Sequence, residues 1–295
     1  MNDSYSDEKA LGFFKKHKRK LCGLGILVIF FIISLLSHIA YDKLKSDTSQ
    51  DSLENSITDT TDENCSVTGI NLHGNLSAYI PNHSDSDSYF NLDVTASEDV
   101  VWTIKQANED EKIKAIIVEV DSSGGHPVAG EEIANAIKNS DKPVVAFIRQ
   151  TGTSASYWAI SSADKIFASK NSDVGSIGVT MSYLNNVAKN AKDGYTFEQL
   201  SAGKYKDAGN TDKPLTVEEK SLFIRDINII HNNFIEAVSQ NRKIPLDKVQ
   251  SFADGSTVLG VKAKELGLID EIGGFDEAEK YLEKIIGEKP EICWQ

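Results

Sequence analysis

The sequence predicts an α/β domain built on a parallel sheet and preceded by one N-terminal transmembrane helix. Three observations predict it. Ile113–Asp121 (IKAIIVEVD) is a continuous β-branched run, as expected of a strand buried on both faces. From Val67 onward, runs of strand length alternate with stretches of helical spacing, the pattern of parallel crossover units. Residues 21–41 (LCGLGILVIFFIISLLSHIAY) contain no Asp, Glu, Lys or Arg. About 20 such residues in a helix span roughly 30 Å, the thickness of a bilayer core.

The apolar segment follows a basic tail, residues 1–20, that ends in KKHKRK. The chain turns acidic after it. The positive-inside rule keeps the tail in the cytoplasm and sends everything after Tyr41 outside. No small-x-small cleavage site follows in SLLSHIAYDK, and Cys22 precedes the apolar run instead of ending it. Both features favour an uncleaved anchor over a signal peptide. Residues 42–64 are rich in Ser, Thr, Asp and Glu and poor in apolar side chains, which predicts a flexible acidic tether.

The domain proper is expected over residues 65–295. VTGINLHG (Val67–Gly74) reads as a strand ending in a turn. Ser97–Asn108 has helical spacing, with Val100, Val101 and Ile104 on one side. The strand Ile113–Asp121 leads into SSGG, and a helix is expected from about Val128 to Lys138. Pro143–Ile148 reads as the next strand. GTSASYWAISSADKI (Gly152–Ile166) then enters a helix lasting to about Ser162, followed by a strand at Lys165–Ser169. Thr216–Asn241 is a long helical stretch opened by a capping box, TVEE. A helix, a short strand and an amphipathic helix from about Phe275 complete the chain.

Composition narrows the function classes. The chain has 295 residues and a formal net charge of −13. Phosphate binding needs a basic face, so the acidic balance argues against nucleic acid as a partner. Three cysteines do not make a disulfide framework. No metal cluster or phosphate-binding loop is evident, so no cofactor is expected.

Ser154 and Ser156 stand at a strand-to-helix junction. A serine hydroxyl is a poor nucleophile until a base takes its proton. Of the six histidines, His17 and His38 precede or lie within the apolar segment, His73 and His83 fall in early loops, and His231 lies in the long helix. Only His126 adjoins a plausible active-site loop, DSSGGHP. The alternative base is a lysine, which acts only when neutral. Its reference pKa of about 10.4 must fall towards about 7, which takes an apolar setting and an orienting acceptor. LSAGKYKDAG (Leu200–Gly209) offers Lys204 and Lys206, and alternation in an extended segment puts both on one face. Gly124 and Gly125, at the end of a buried strand, can turn backbone N–H groups towards a developing oxyanion; a plain tight turn is the competing reading.

At these residues the chain resembles the signal peptide peptidase A family. The matching pieces are DSSGG (Asp121–Gly125), SASYWAISSADKIFA (Ser154–Ala168), VGSIGV (Val174–Val179), SAGKYKD (Ser201–Asp207) and the segment Ala253–Gly274. The resemblance covers about Val67 to Gly287. It implies a Clp-protease/crotonase-like fold of repeated ββα units and a membrane-anchored serine endopeptidase. It assigns Ser154 as nucleophile, Lys206 as general base, Ser176 as the hydroxyl that holds the lysine amine, and Gly125 and the Ala155 N–H as the oxyanion hole. It also implies extended peptide substrates, remnant signal peptides among them, and a ring-shaped homo-oligomer in which a lysine can face a neighbour's serine. Ala155 and Ser156 stand where the family commonly has two glycines, and Ser123 where it has proline. Ala155 keeps its N–H, while Ser156 adds bulk beside the nucleophile. Cys65 and Cys293 lie near the two ends of the domain, and a bridge between them is a hypothesis. Two readings compete with the peptidase: a catalytically weak peptide-binding adaptor of the same fold, and a crotonase-like enzyme acting on acyl thioesters.

Overall fold

The computed structural model describes residues 64–80 and 93–295. The basic tail, the apolar segment 21–41, the tether up to residue 63 and His83 lie outside the described residues. Among those described, no helix is long and apolar enough to cross a membrane. The described residues belong to a compact unit spanning Asp62–Gln295.

The elements in chain order are β1 (Val67–Ser77), β2 (Val94–Ala96), α1 (Ser97–Glu109), β3 (Ala115–Gly125), α2 (Pro127–Lys138), β4 (Val144–Thr153), α3 (Ala155–Ile160), β5 (Lys165–Ala168), β6 (Asp173–Gly175), α4 (Val187–Lys192), α5 (Val217–Arg242), α6 (Leu246–Phe252), β7 (Thr257–Leu259), α7 (Gly260–Leu266), β8 (Glu271–Ile272), α8 (Phe275–Ile286) and β9 (Ile292–Trp294). The main sheet order is β2-β1-β3-β4-β5-β8. Every pairing is parallel except β6 with β7.

The expected α/β architecture is present, and its strands run further than the apolar pattern suggests. β3 and β4 each continue past a shift in register. Val145–Ile148 of β4 pairs with β5, whereas Thr151–Thr153 pairs with β6. The β3–β4 ladder slips between Val120 and Ser122, and the β1–β3 ladder between His73 and Asn75. Each long strand is therefore two successive strand segments, and a helix follows: α1 after β1 and β2, α2 after β3, α3 after β4. Such irregularities bend and re-aim a strand. Here they fork the sheet and bring three strand ends to one place.

Burial explains why the strands read as unbroken apolar runs. Ile116, Val118 and Val120 point to the face covered by α1, α2 and α3. Ala115 and Ile117 point to the face covered by Ala278 and Leu282 of α8. Helix α3 is buried along its whole length. Its Tyr157 hydroxyl donates to the Leu268 carbonyl at 2.8 Å, and burial pushes the phenol's pKa up, so it stays a donor.

After β6 the chain runs from Ser176 to Thr216 with only α4 as regular structure. Asn186 and Asn190 tie this arm back to Thr211 and Asp212 through their side-chain amides. The capping box is present: the Glu219 N–H donates to Thr216 Oγ1, and the Thr216 N–H donates to Glu219. Lys213 pairs with the same carboxylate. Its hydrogen bond, then that of the Thr216 backbone, holds Glu219 below the usual carboxylate range.

Cys65 and Cys293 form a disulfide with a Cα–Cα separation of 5.8 Å, joining the entry of β1 to β9. A cross-link closing so long a loop restricts the unfolded chain, and such bridges contribute about 2–4 kcal/mol. Cys293→Ser should therefore lower unfolding stability by about that amount. A urea midpoint that is the same for the variant and the wild type, with and without reductant, would show the bridge to be energetically silent.

Candidate active site

Strand β4 ends at Thr153 and α3 begins at Ala155, so Ser154 alone makes the turn. It does so at φ 55°, ψ −129°. Left-handed φ in a residue with a Cβ costs of order 1–3 kcal/mol and persists only where the surroundings hold it. Here the Ser154 N–H donates to the Gly175 carbonyl at 2.7 Å, and its carbonyl accepts from the Trp158 N–H at 2.9 Å. Trp158 stacks on Phe234 of α5, with ring centroids 4.8 Å apart and planes 7° apart. The fork of the sheet places Gly175, at the end of β6, beside the turn.

The end of β3 approaches from the other side. Gly124 sits at φ 111°, and a Cβ there would lie 2.7 Å from Ser154 Cβ and 3.0 Å from the Ala155 nitrogen. Only glycine fits. The Gly-Gly pair thus ends β3 in two close approaches, Gly124 to the Ser154 turn and Gly125 to the Leu76 backbone, and is not a tight turn of its own. Ser122 steadies it from behind: its Oγ donates to the Gly74 carbonyl at 2.7 Å and accepts from the Gly124 N–H at 3.1 Å.

Ser154, Ala155, Gly125 and Ser176 line one cavity of about 440 Å³. Ser176 is also in left-handed conformation, at φ 49°. Its N–H donates to the Ser256 carbonyl and its Oγ to the Gly255 carbonyl at 2.9 Å. Trp158, Ile230, Phe234 and Ala253 give the cavity an apolar wall. Gly178, Val179 and Thr180 line it as well, and their backbone groups pair with no other described residue. Ser156 lies outside the lining and is fully buried, so of the two serines at the junction Ser154 is the one a substrate can meet.

Four of the five residues singled out from sequence thus meet in one place. The fifth does not join them within a single chain. Lys206 is exposed in the 201–213 turns and does not line the cavity. Its neighbour Lys204 is ion-paired with Glu218 at 3.1 Å, and hydrogen bonding to Tyr205, then to Glu218, pushes its pKa up. That favours the charged amine, the wrong state for a base. Lys206 has no side-chain partner among the described residues. His126 is the exposed N-cap of α2, and its N–H donates to the Leu76 carbonyl. It does not line the cavity either.

Two titratable residues of the cavity are not expected there from sequence, which sets His231 aside as a residue of the long helix. His231 lines the cavity, one residue after Ile230 and three before Phe234, and its Nε2 is buried without a partner among the described residues. Its helical phase with Phe234 was the available signal. Asp254 also lines it; the Ser256 hydroxyl, then the Ser256 N–H, holds its carboxyl below the usual range. Nothing in the local sequence marks Asp254.

Gly124→Ala is expected to push the Ser154 turn aside. Labelling of Ser154 by a serine-directed phosphonate should slow by at least about tenfold, equivalent to about 1.4 kcal/mol of activation free energy. Labelling at the wild-type rate would mean that the close approach does not position the hydroxyl.

Residues 136–287 match peptidase family S49, just over half of the chain. A putative protease from Methanocaldococcus jannaschii is 35% identical over 187 residues, covering 62% of this chain and 60% of that one. A putative signal peptide peptidase SppA from Enterococcus faecium is 26% identical over 284 residues, covering 91% of this chain and 81% of that one. Among solved structures, a ClpP1 mutant from Listeria monocytogenes is similar at 15% identity and a TM-score of 0.46, over 71% of this chain and 93% of that one, a likeness too remote to weigh. The chain thus spans less than two thirds of the archaeal relative's length. With its matched region enclosing the Ser154 turn, Ser176 and the Lys206 segment, the chain belongs to peptidase family S49, and the likeness to signal peptide peptidase A read from its sequence is borne out.

Proposed function

We propose that this protein is a membrane-anchored serine endopeptidase with a Ser154/Lys206 dyad and a Clp-protease/crotonase-like arrangement of ββα units. It degrades cleaved signal peptides or other membrane-proximal peptides. The observation that carries the reading is the strained serine at a strand-to-helix turn, facing a cavity shared with Gly125, Ala155 and Ser176 in a chain of family S49.

In this reading the Ser154 hydroxyl attacks the scissile carbonyl while the neutral Lys206 amine takes its proton. The tetrahedral oxyanion forms against the N–H groups of Gly125 and Ala155. Ala155 is the first residue of α3, so its N–H has no partner within the helix. Donors aimed at the developing charge are often the largest catalytic contribution. The lysine then returns its proton to the leaving amine, and water, activated by the same base, releases the acyl group. Ser176 orients the amine.

Lys206 lies outside the cavity of its own chain, so the base comes from a neighbouring copy. The arm that carries it exposes Leu184, Tyr195 and Leu200, and the adjoining helix exposes Val217 and Ile229. Exposed apolar side chains at this density mark an association surface. We assign it to a homo-oligomeric ring. The unpaired backbone of Gly178–Thr180 suits an extended peptide added as a strand. The apolar wall suits the side chains of a signal-peptide remnant. The charge-free segment 21–41 supplies the anchor, and the disulfide fits an oxidising, extracytoplasmic side.

A peptide-binding adaptor is the second reading, favoured by the position of Lys206 outside the cavity. An acyl-thioester enzyme of the same fold needs neither Ser154 nor Lys206. Turnover of an apolar fluorogenic peptide separates the three. Ser154→Ala and Lys206→Ala should each lose at least about a thousandfold in kcat/KM, or about 4 kcal/mol. Lys204→Ala should stay near wild type. Mixing the two inactive variants and letting them reassemble should restore activity, because a sound serine then meets a neighbour's sound lysine. Retained turnover in either single variant would end the dyad, and no recovery on mixing would end its intersubunit form. Release of the full chain from membranes by carbonate alone would end the anchor.

A further inference from the structure

Ser156 takes no part in the chemistry above, yet its hydroxyl lies directly beneath it. The side chain is fully buried. Its Oγ accepts from the Thr153 N–H at 2.9 Å and lies 2.8 Å from both the Ser122 and the Thr153 carbonyl, to which it donates its one proton. It stands just beyond the register shift between β3 and β4, where the two strands must be held at a set spacing. Thr153 directly precedes the strained Ser154. Ser122 begins the segment that carries Gly124 and Gly125. One oxygen thus joins the strand end before the nucleophile to the strand end before the oxyanion donors.

We infer that Ser156 is a positioning residue whose hydroxyl sets the spacing between the Ser154 turn and the Gly124–Gly125 strand end. The inference rests on Ser154 being the reacting hydroxyl. Its chemistry makes an unusual demand on variants. Alanine deletes the oxygen but keeps the methyl carbon, which blocks a water from taking the oxygen's place, so Thr153 and Ser122 lose a buried partner. Glycine deletes both atoms. The freed space is then ringed by one N–H and two carbonyls, the two to four polar partners that a buried water requires. Glycine should therefore restore what alanine destroys. A residue acting only through packing or helix preference gives the opposite order, because glycine is the poorer helix former and leaves the larger void.

The test compares full-length wild type, Ser156→Ala and Ser156→Gly in detergent. Alanine should lower kcat on an apolar fluorogenic peptide by about 10- to 100-fold with KM within about twofold. Glycine should recover kcat to within about threefold of wild type. Backbone amide exchange at Thr153 should speed up at least about tenfold in the alanine variant and stay near wild type in the glycine variant. If wild type cleaves no peptide, the peptidase reading fails, and amide exchange alone then decides whether the hydroxyl bridge sets the strand spacing. Glycine equal to or worse than alanine in kcat, or in amide exchange where there is no turnover, overturns the inference.

Discussion

At Ser154 a strand must end and a helix begin within a single residue, and the backbone accepts a conformation that side chains rarely adopt. That constraint governs the rest of the site. The turn exists because β4 is pulled two ways, towards β5 by its first half and towards β6 by its second. It stays in place because the Gly175 carbonyl, the buried helix α3 and the bare α-carbon of Gly124 close on it from three sides. A looser sheet would let the serine relax and would carry Gly125 and Ala155 away from it.

The same geometry divides labour between parts of the fold. The sheet ends supply rigid groups: a hydroxyl, two N–H groups and the fixed Ser176 side chain. The arm after β6 carries Lys206, the base of the proposed mechanism, and it is held by side-chain bonds among Asn186, Asn190, Thr211 and Asp212 rather than by core packing. In the proposed mechanism its exposed Leu184, Tyr195 and Leu200 meet a second copy. Lys204 and Lys206 differ accordingly. One is tied to Glu218, and the other has no side-chain partner among the described residues.

Much of this was legible in the residues. The β-branched run at Ile113–Val120 gave its own fate away, and Thr216 with Glu219 announced the start of α5. What the pattern concealed were the strand extensions. Asp121–Gly125 and Arg149–Thr153 lack apolar alternation because their neighbours are other strand ends and side-chain hydroxyls, not a hydrophobic layer. The short strands β2, β6, β7 and β9 were missed for a simpler reason: three residues hold no period. Ser154 and Gly125 could be picked out from their places at strand ends, Ser176 and Ala155 only through resemblance, and the fold brings all four together. His231 was passed over because a histidine inside a long helix has no local mark of what its face meets. Ser156 was expected to add bulk beside the nucleophile, whereas its side chain turns inward and ties strands.

The bridge between Cys65 and Cys293 has a mechanical side. β9 lies parallel to the first residues of β1, and α8 packs over the adjoining sheet face. Tension arriving from residues upstream of Cys65 would enter through that sulfur pair. It would load the terminal strand and helix together in shear, rather than unzipping β1 one rung at a time from its beginning.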